Sequence, residues 1–318
     1  MQARVVIESP AKVNLRLVVL GREESGYHGL ETIFCALSFS DTLTVESGDG
    51  GILLSVEGDV ATGPTEENLV MIAARRFFGE LNQAPAVRFT LRKRIPSSAG
   101  LGGGSSNAAA ALLALNAFHG EPFTRQQLMQ WGSEIGSDVS FFLCGSSLAL
   151  GWSRGERLLA LPALPPRPVL IAHPGIPFAT AGAFREIAER RGGVYRPEAS
   201  ELSLGQLHSW ARMAEIAVNQ FSMLAEERIP LVASGIETMR KHRAEIALLA
   251  GSGASIFGVF TENGDTARAE QELQLLGFRC WGAATLGALP QPARSEVAES
   301  ELHGIASPGA VDPASAEG

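Results

Sequence analysis

The run Ile95-Pro96-Ser97-Ser98-Ala99-Gly100-Leu101-Gly102-Gly103-Gly104-Ser105-Ser106-Asn107 leads straight into an alanine- and leucine-rich segment that ends near His119. Glycine fills all but one of positions 100–104, so the backbone here can adopt positive φ and approach a bound group closely. Ser105, Ser106 and Asn107 are helix-starting residue types, and leucines and alanines follow at helical spacing. A glycine turn that delivers a helix N-terminus presents unpaired N–H groups and the positive end of a dipole, which suits an anion such as phosphate. A flexible connector would not run from the basic strand end Arg92-Lys93-Arg94, through a proline, into an apolar helix.

The commonest phosphate loops do not fit. A P-loop needs Lys directly before Ser or Thr, and Gly104-Ser105 has none. In G-x-G-x-x-G the third glycine would fall on Asn107, and the hydrolase elbow G-x-S-x-G is absent here.

Composition narrows the class. A chain of 318 residues with 45% hydrophobic content can bury a sizeable core and suggests two domains. A net charge of −8 argues against a general nucleic-acid binder. Cys35, Cys144 and Cys280, widely spaced in apolar surroundings, read as reduced core residues, not as a disulfide frame or zinc site. No apolar run approaches the roughly 20 residues that span a bilayer, and the first residues lack a signal-peptide pattern. The expectation is a cytoplasmic protein, monomer or weak homodimer, with a small-molecule substrate and no nucleic-acid or membrane partner. Only three of the 26 basic residues are lysine: Lys12, Lys93 and Lys241. Where lysine is this scarce, its use hints at a site that needs a compact ammonium.

Periodicity predicts strands over 3–9 and 11–20, strand-like runs near 30–38, 41–47 and 52–57, and a helix over 68–81. A strand through Val87, Phe89 and Leu91 leads into the glycine loop, and Thr124 with Gln127 has capping-box spacing. Two short strands follow between Leu148 and Leu161. The proline-rich segment 162–168 suggests a division into domains 1–160 and 161–289. Beyond it the pattern alternates: a strand over 169–172, helices near 179–190, 211–227 and 230–242, strands 246–250 and 255–260, a helix near 264–276 and a strand near 278–285. From Pro290 to the end, Ala, Ser, Pro, Glu and Gly dominate, and 290–318 reads as a disordered tail.

The glycine loop resembles the P-x-x-x-G-L-G-S-S-A-A motif of the GHMP kinases, with one extra glycine. Two more segments fit that superfamily, and in particular its diphosphocytidyl methylerythritol kinase branch. The first is Pro10-Ala11-Lys12-Val13-Asn14-Leu15 with downstream Gly26-Tyr27-His28; the second is Leu249-Ala250-Gly251-Ser252-Gly253-Ala254-Ser255. The resemblance implies a two-domain α+β fold, with an N-terminal ribosomal-protein-S5-domain-2-like part and a C-terminal ferredoxin-like part. It implies ATP with Mg²⁺, and phosphorylation of the 2-hydroxyl of a cytidine diphosphate derivative in non-mevalonate isoprenoid synthesis. Another alcohol of the superfamily, homoserine or a mevalonate type, and a nucleotide-binding relative without catalysis remain alternatives; the presence of Lys12 and Asp138 speaks against the last.

By the same resemblance, Lys12 and Asp138 are catalytic. Asp138 lies in the apolar run Val139–Leu143 and its flank, where a carboxylate needs a partner: either Ser137 and Ser140 cap it or it performs chemistry. Asn68, Lys93, Pro96, Ser97, Ser98, Ala99, Gly100, Leu101, Gly102, Gly103, Gly104, Ser105 and Ser106 would bind ATP; Asn68 fits a helix N-cap equally well. Ser105 or Ser106 is the metal contact suggested. Asn14, Tyr27, His28, Phe178 and Thr180 would face the substrate, with Tyr27 and His28 suited to a cytosine ring and Thr180 equally a helix cap. Two departures stand out: Asn219-Gln220-Phe221-Ser222 lacks both acids of the superfamily's N-D-x-E, and Ser98 stands where relatives usually carry glycine.

Tyr27→Ala and His28→Ala are expected to raise KM for the cytidyl substrate while KM for ATP hardly moves. Steady-state kinetics in both substrates checks this, and an effect on ATP alone would refute the assignment.

Overall fold

The computed structural model describes residues 2–22, 28–176, 186, 187, 189 and 202–297. Phe178, Thr180, Tyr27 and the side chain of His28 lie outside these, as does most of the helix expected over 179–190.

Two long strands form the spine, β1 (Gln2–Arg22) and β2 (His28–Ser47), paired antiparallel with register shifts at Pro10/Lys12, Asn14/Arg16 and Val19/Gly21. The sequence suggests two strands in each place. Pro10 does not break β1 because it falls at a bulge, where its missing N–H costs no ladder bond. The N-terminal half of β2 pairs with β5 (Leu148–Ser153), which pairs with β6 (Arg157–Leu161). The C-terminal half pairs with β4 (Ala86–Arg92), which takes β3 (Gly51–Glu57) in parallel. Against this sheet pack α1 (Leu69–Leu81), α2 (Gly103–Phe118), α3 (Arg125–Ile135) and α4 (Val139–Leu143), around Phe34, Phe77, Phe89, Leu112 and Phe141. Apolar alternation in β4 and the capping box at Thr124 appear as the sequence suggests.

After the proline-rich connector, β7 (Pro168–His173) joins β9 (Ala244–Leu249), β10 (Ile256–Phe260) and β11 (Arg279–Ala284) in a second sheet of order β11-β7-β10-β9. Its helices are α5 (Trp210–Ile216), α6 (Phe221–Arg228), α7 (Pro230–Lys241) and α8 (Thr266–Leu275). The two sheets share a core, since Val13, Leu15 and Ile33 of the hairpin pack with Val169, Ile171, Ile246 and Phe257. The helix expected over 211–227 is interrupted by a two-residue strand, β8 (Val218–Asn219), parallel to β1 at Arg16 and Leu17. Asn219 spends its side chain on backbone groups elsewhere, a competition that disfavours continued helix. No helix of the described residues is long and apolar enough to cross a membrane.

The expectation of a disordered tail from residue 290 needs correction over its first part. Leu289 is buried in the first core, and β12 (Ala293–Val297) pairs antiparallel with β1 from Gln2 to Val6. The free edge of β1 supplies backbone donors and acceptors, and such pairing asks little of side-chain composition. Residues 298–318 lie outside the described ones. Ending the chain at Leu289 should therefore expose that edge and lower Tm by at least about 3 °C, the shift of a loss near 1 kcal/mol in a chain of this size. Thermal denaturation checks it; an unchanged Tm would show that β12 adds nothing.

Candidate active site

The glycine loop bridges β4 and α2 with backbone that only glycine tolerates well. Gly100 and Gly102 have φ of 79° and 69°. Helix α2 opens at Gly103, and Ser106 is bonded back from its amide to the Gly102 carbonyl at 2.9 Å. Amides ahead of that bond have no partner within the helix, by helix geometry alone. The residues that carry them are part of the lining of a cavity of about 300 Å³, with Asn68, Lys93, Pro96 through Gly102, Thr62 and Glu67. A lining rich in glycine and serine at the opening of a helix suits a polyphosphate.

Ser98 also has positive φ, at 54°. A non-glycine residue in that region carries about 1–2 kcal/mol of strain, so the departure at this position is sterically real. Ser106 turns away from the cavity: it is 1% exposed and its Oγ accepts from Ser9 Oγ at 2.9 Å. Of the two serines that open α2, Ser105 lines the cavity and Ser106 does not. Asn68 caps α1, its Oδ1 accepting from Val70 N at 3.0 Å, while still lining the cavity.

Lys93 is held by a buried network. Its Nζ lies 2.5 Å from Asp41 Oδ2 and donates to Asn107 Oδ1 at 3.1 Å. Asp41 is fully buried and accepts further from Asn107 Nδ2 and from the amides of Arg94 and Ile95. Asn107 also donates to Ser9 Oγ at 2.8 Å. These bonds pin the exit of β4 to the N-terminal part of α2, so Lys93 acts on the loop as an anchor as well as lining the cavity. From the sequence, Asp41 and Ser9 carry no role and Asn107 is only a helix-starting residue. A signal existed in Asp41, one of six aspartates in the chain, set between Phe39 and Leu43 in a strand.

On the other side of the loop stands Lys12. Its amide donates to the Leu101 carbonyl at 2.9 Å. Its stem runs under Gly102, where an added methyl would lie 2.9 Å from Lys12 Cγ and 3.0 Å from Cε. Lys12 Nζ donates to Asn14 Oδ1 at 2.8 Å, lies 3.2 Å from Asp138 Oδ2 and sits over the Phe34 ring. Asn14 Nδ2 in turn donates to Thr32 Oγ1 at 2.7 Å. Asp138 precedes α4 without capping it, and the Ser140 hydroxyl donates instead to the Met129 carbonyl. The Asp138 side chain is 31% exposed and that of Lys12 only 5%, so a dry ammonium holds a carboxylate that opens outward. Ser105 Oγ reaches the turn before Asp138, within 4.0 Å of where a Cβ on Gly136 would stand. Cavity and ion pair are thus contiguous.

Among the described residues, burial raises the pKa of all three cysteine thiols. Burial pushes the Cys35 thiol up to about 12 and that of Cys280 to about 11. His173 is bonded through Nδ1 to Ser255 Oγ at 3.1 Å, and burial, then Arg279, holds it below its usual range. Among the described residues no group of three or more His, Cys, Asp or Glu is gathered for a metal.

Residues 68–146 match the GHMP kinases N terminal domain. The chain is 36% identical over 271 residues to a 4-diphosphocytidyl-2-C-methyl-D-erythritol kinase of Solibacter usitatus, covering 84% of each. It is 37% identical over 270 residues to one of Moorella thermoacetica, covering 83% of this chain and 93% of that one. A crystal structure of 4-(cytidine 5'-diphospho)-2C-methyl-D-erythritol kinase superposes with TM-score 0.70 at 32% identity, covering 88% of this chain and 98% of that one. Homoserine kinase from Cytophaga hutchinsonii, at 17% identity and TM-score 0.68, with 92% and 97% covered, shares the fold.

Gly102→Ala should cut kcat by at least about a hundredfold, because the methyl displaces the Lys12 stem and a displacement of this size is enough for such a loss. Gly104→Ala meets nothing closer than Leu69 Cδ1 at 3.5 Å and should keep the wild-type Tm. Kinetics and thermal melts of both variants check the contrast.

Proposed function

The chain belongs to the 4-diphosphocytidyl-2-C-methyl-D-erythritol kinase family of GHMP kinases, and from that premise we propose that Lys12 and Asp138 transfer the γ-phosphoryl group of ATP to the 2-hydroxyl of 4-diphosphocytidyl-2-C-methyl-D-erythritol. The observation that carries the residue roles is the Lys12–Asp138 pair lying against the phosphate-sized cavity through Gly102 and Ser105.

Phosphoryl transfer proceeds through a loose transition state, so positioning and charge stabilisation supply most of the rate. The amides that open α2 cradle the triphosphate. Lys12 directs N–H groups at Asn14 and Asp138 and keeps a third for the acceptor hydroxyl, whose oxygen it polarises. Asp138, paired with that ammonium, orients the hydroxyl and takes its proton as the new P–O bond forms and the bond to the leaving ADP oxygen breaks. The donor set suits Mg²⁺, which takes few protein oxygens and relies on substrate phosphates; the Ser105 hydroxyl would hold it, and the ion would offset charge on the phosphate oxygens. Asn14, Tyr27, His28, Phe178 and Thr180 would complete the acceptor side.

Asp138→Asn should lower kcat by about 10²–10⁴-fold with ATP affinity nearly unchanged. Lys12→Arg should fail almost as badly as Lys12→Ala, because a planar fork cannot follow the stem beneath Gly102 or replace a point charge. A coupled ATP-consumption assay, run with the cytidyl alcohol, homoserine and mevalonate in parallel, measures both. Wild-type turnover by Asp138→Asn would remove the proton-acceptor role, and preference for another alcohol would overturn the substrate.

A further inference from the structure

Asn219 is 3% exposed and uses three of its four hydrogen-bonding capacities on backbone. Its Nδ2 donates to the carbonyls of Leu249, at 2.8 Å, and Gly251, at 2.6 Å, and its Oδ1 accepts from the Phe221 amide at 2.9 Å. The two carbonyls flank Ala250, in the glycine turn between β9 and β10. That turn is wedged against the phosphate loop. A methyl on Gly100 would run into the Ala250 carbonyl, and one on Gly251 would lie 2.8 Å from the Gly100 carbonyl. Gly253 closes the turn by donating to the same Ala250 carbonyl at 2.9 Å.

We propose that Asn219 is a positioning residue for nucleotide binding, which fixes the 250–253 turn and through it seats Gly100 and the phosphate loop. This rests on reading that loop as the triphosphate cradle. The physical case is one of leverage. Loop and turn meet backbone to backbone with no side chain to yield, so a shift of the turn is passed directly to Gly100. Asn219 supplies donors to two buried carbonyls that the turn itself does not satisfy in this way. Its neighbour Gln220 works elsewhere: its amide donates to the Leu17 carbonyl at 3.1 Å, and its Oε1 accepts from Val19 N at 2.8 Å. The two adjacent residues therefore separate nucleotide-side from strand-side anchoring.

The test uses the full chain, with ATP affinity by calorimetry, KM for both substrates and Tm. Asn219→Asp keeps the acceptor for Phe221 but turns a carboxylate on the two carbonyls. It should weaken ATP binding and raise KM for ATP by about tenfold or more, while KM for the cytidyl alcohol stays within about twofold. Its deficit relative to wild type should shrink between about pH 8 and about pH 6, since a buried carboxyl facing carbonyls titrates high and regains an O–H donor when protonated. Asn219→Ser, which retains one donor, should be intermediate and serves if the Asp variant does not fold. Gln220→Leu should lower Tm without moving ATP affinity. A fall in Tm with ATP affinity unchanged in the Asn219 variants, or an equal rise in both KM values, would overturn the proposal. If Gly102→Val also leaves ATP binding unchanged, the failure belongs to the cradle reading instead.

Discussion

Three residues of backbone, Gly100-Leu101-Gly102, are clasped from both sides, and the rest of the site hangs on that grip. The Ala250 carbonyl presses on Gly100, the Lys12 stem presses on Gly102, and the Lys12 amide bonds the Leu101 carbonyl between them. Neither contact leaves space for a β-carbon, and both glycines also need positive φ. The steric requirement is thus double at each position, set by dihedral and by neighbour. β1 and the 250–253 turn lie far apart in the chain and belong to different sheets, so the clasp ties together two sheets that also share one core.

The clasp would be loose without an anchor where the loop begins. Asp41 provides it, gathering donors from Lys93, Asn107 and two main-chain amides in a site with no exposure. A buried carboxylate is costly unless every lone pair finds a donor, and here the donors come from both elements that the loop joins. Losing one partner would strand the charge, so the network fixes geometry more than it adds net stability. Lysine at 93 serves this role through a compact ammonium that two acceptors can share.

What the sequence made legible was local. The glycine loop, the Asn68 cap, the Thr124 box and the alternation in β4 each follow from a few neighbouring residues, and the structure has them at those positions. What it did not make legible was long-range. Strands 3–9 and 11–20 read as separate because Pro10 punctuates them, and only the bulged pairing with β2 joins them. Asp41 looked like an ordinary strand residue because its partners lie 52 and 66 positions away. The strand at Ala293–Val297 carries only Ala293 and Val297 as apolar residues, too weak a signal to read as a strand, and its pairing depends on an edge formed by the first residues of the chain. The acceptor side was inferred from resemblance, and Tyr27, Phe178 and Thr180 are outside the described residues.

Asn219 keeps the first residue of the superfamily's N-D-x-E, and the missing acid at Gln220 follows the same logic of position. At 220 the surroundings ask for one acceptor, because the group presented is the Val19 N–H. An amide oxygen satisfies that donor as a carboxylate would, without burying a charge beside β1. At 219 the surroundings ask for two donors and one acceptor, a set that asparagine meets and a carboxylate does not. The local environment therefore constrains 219 far more tightly than 220. An acid at 220 is one of several workable acceptors, and its absence leaves the cavity and the Lys12–Asp138 pair intact.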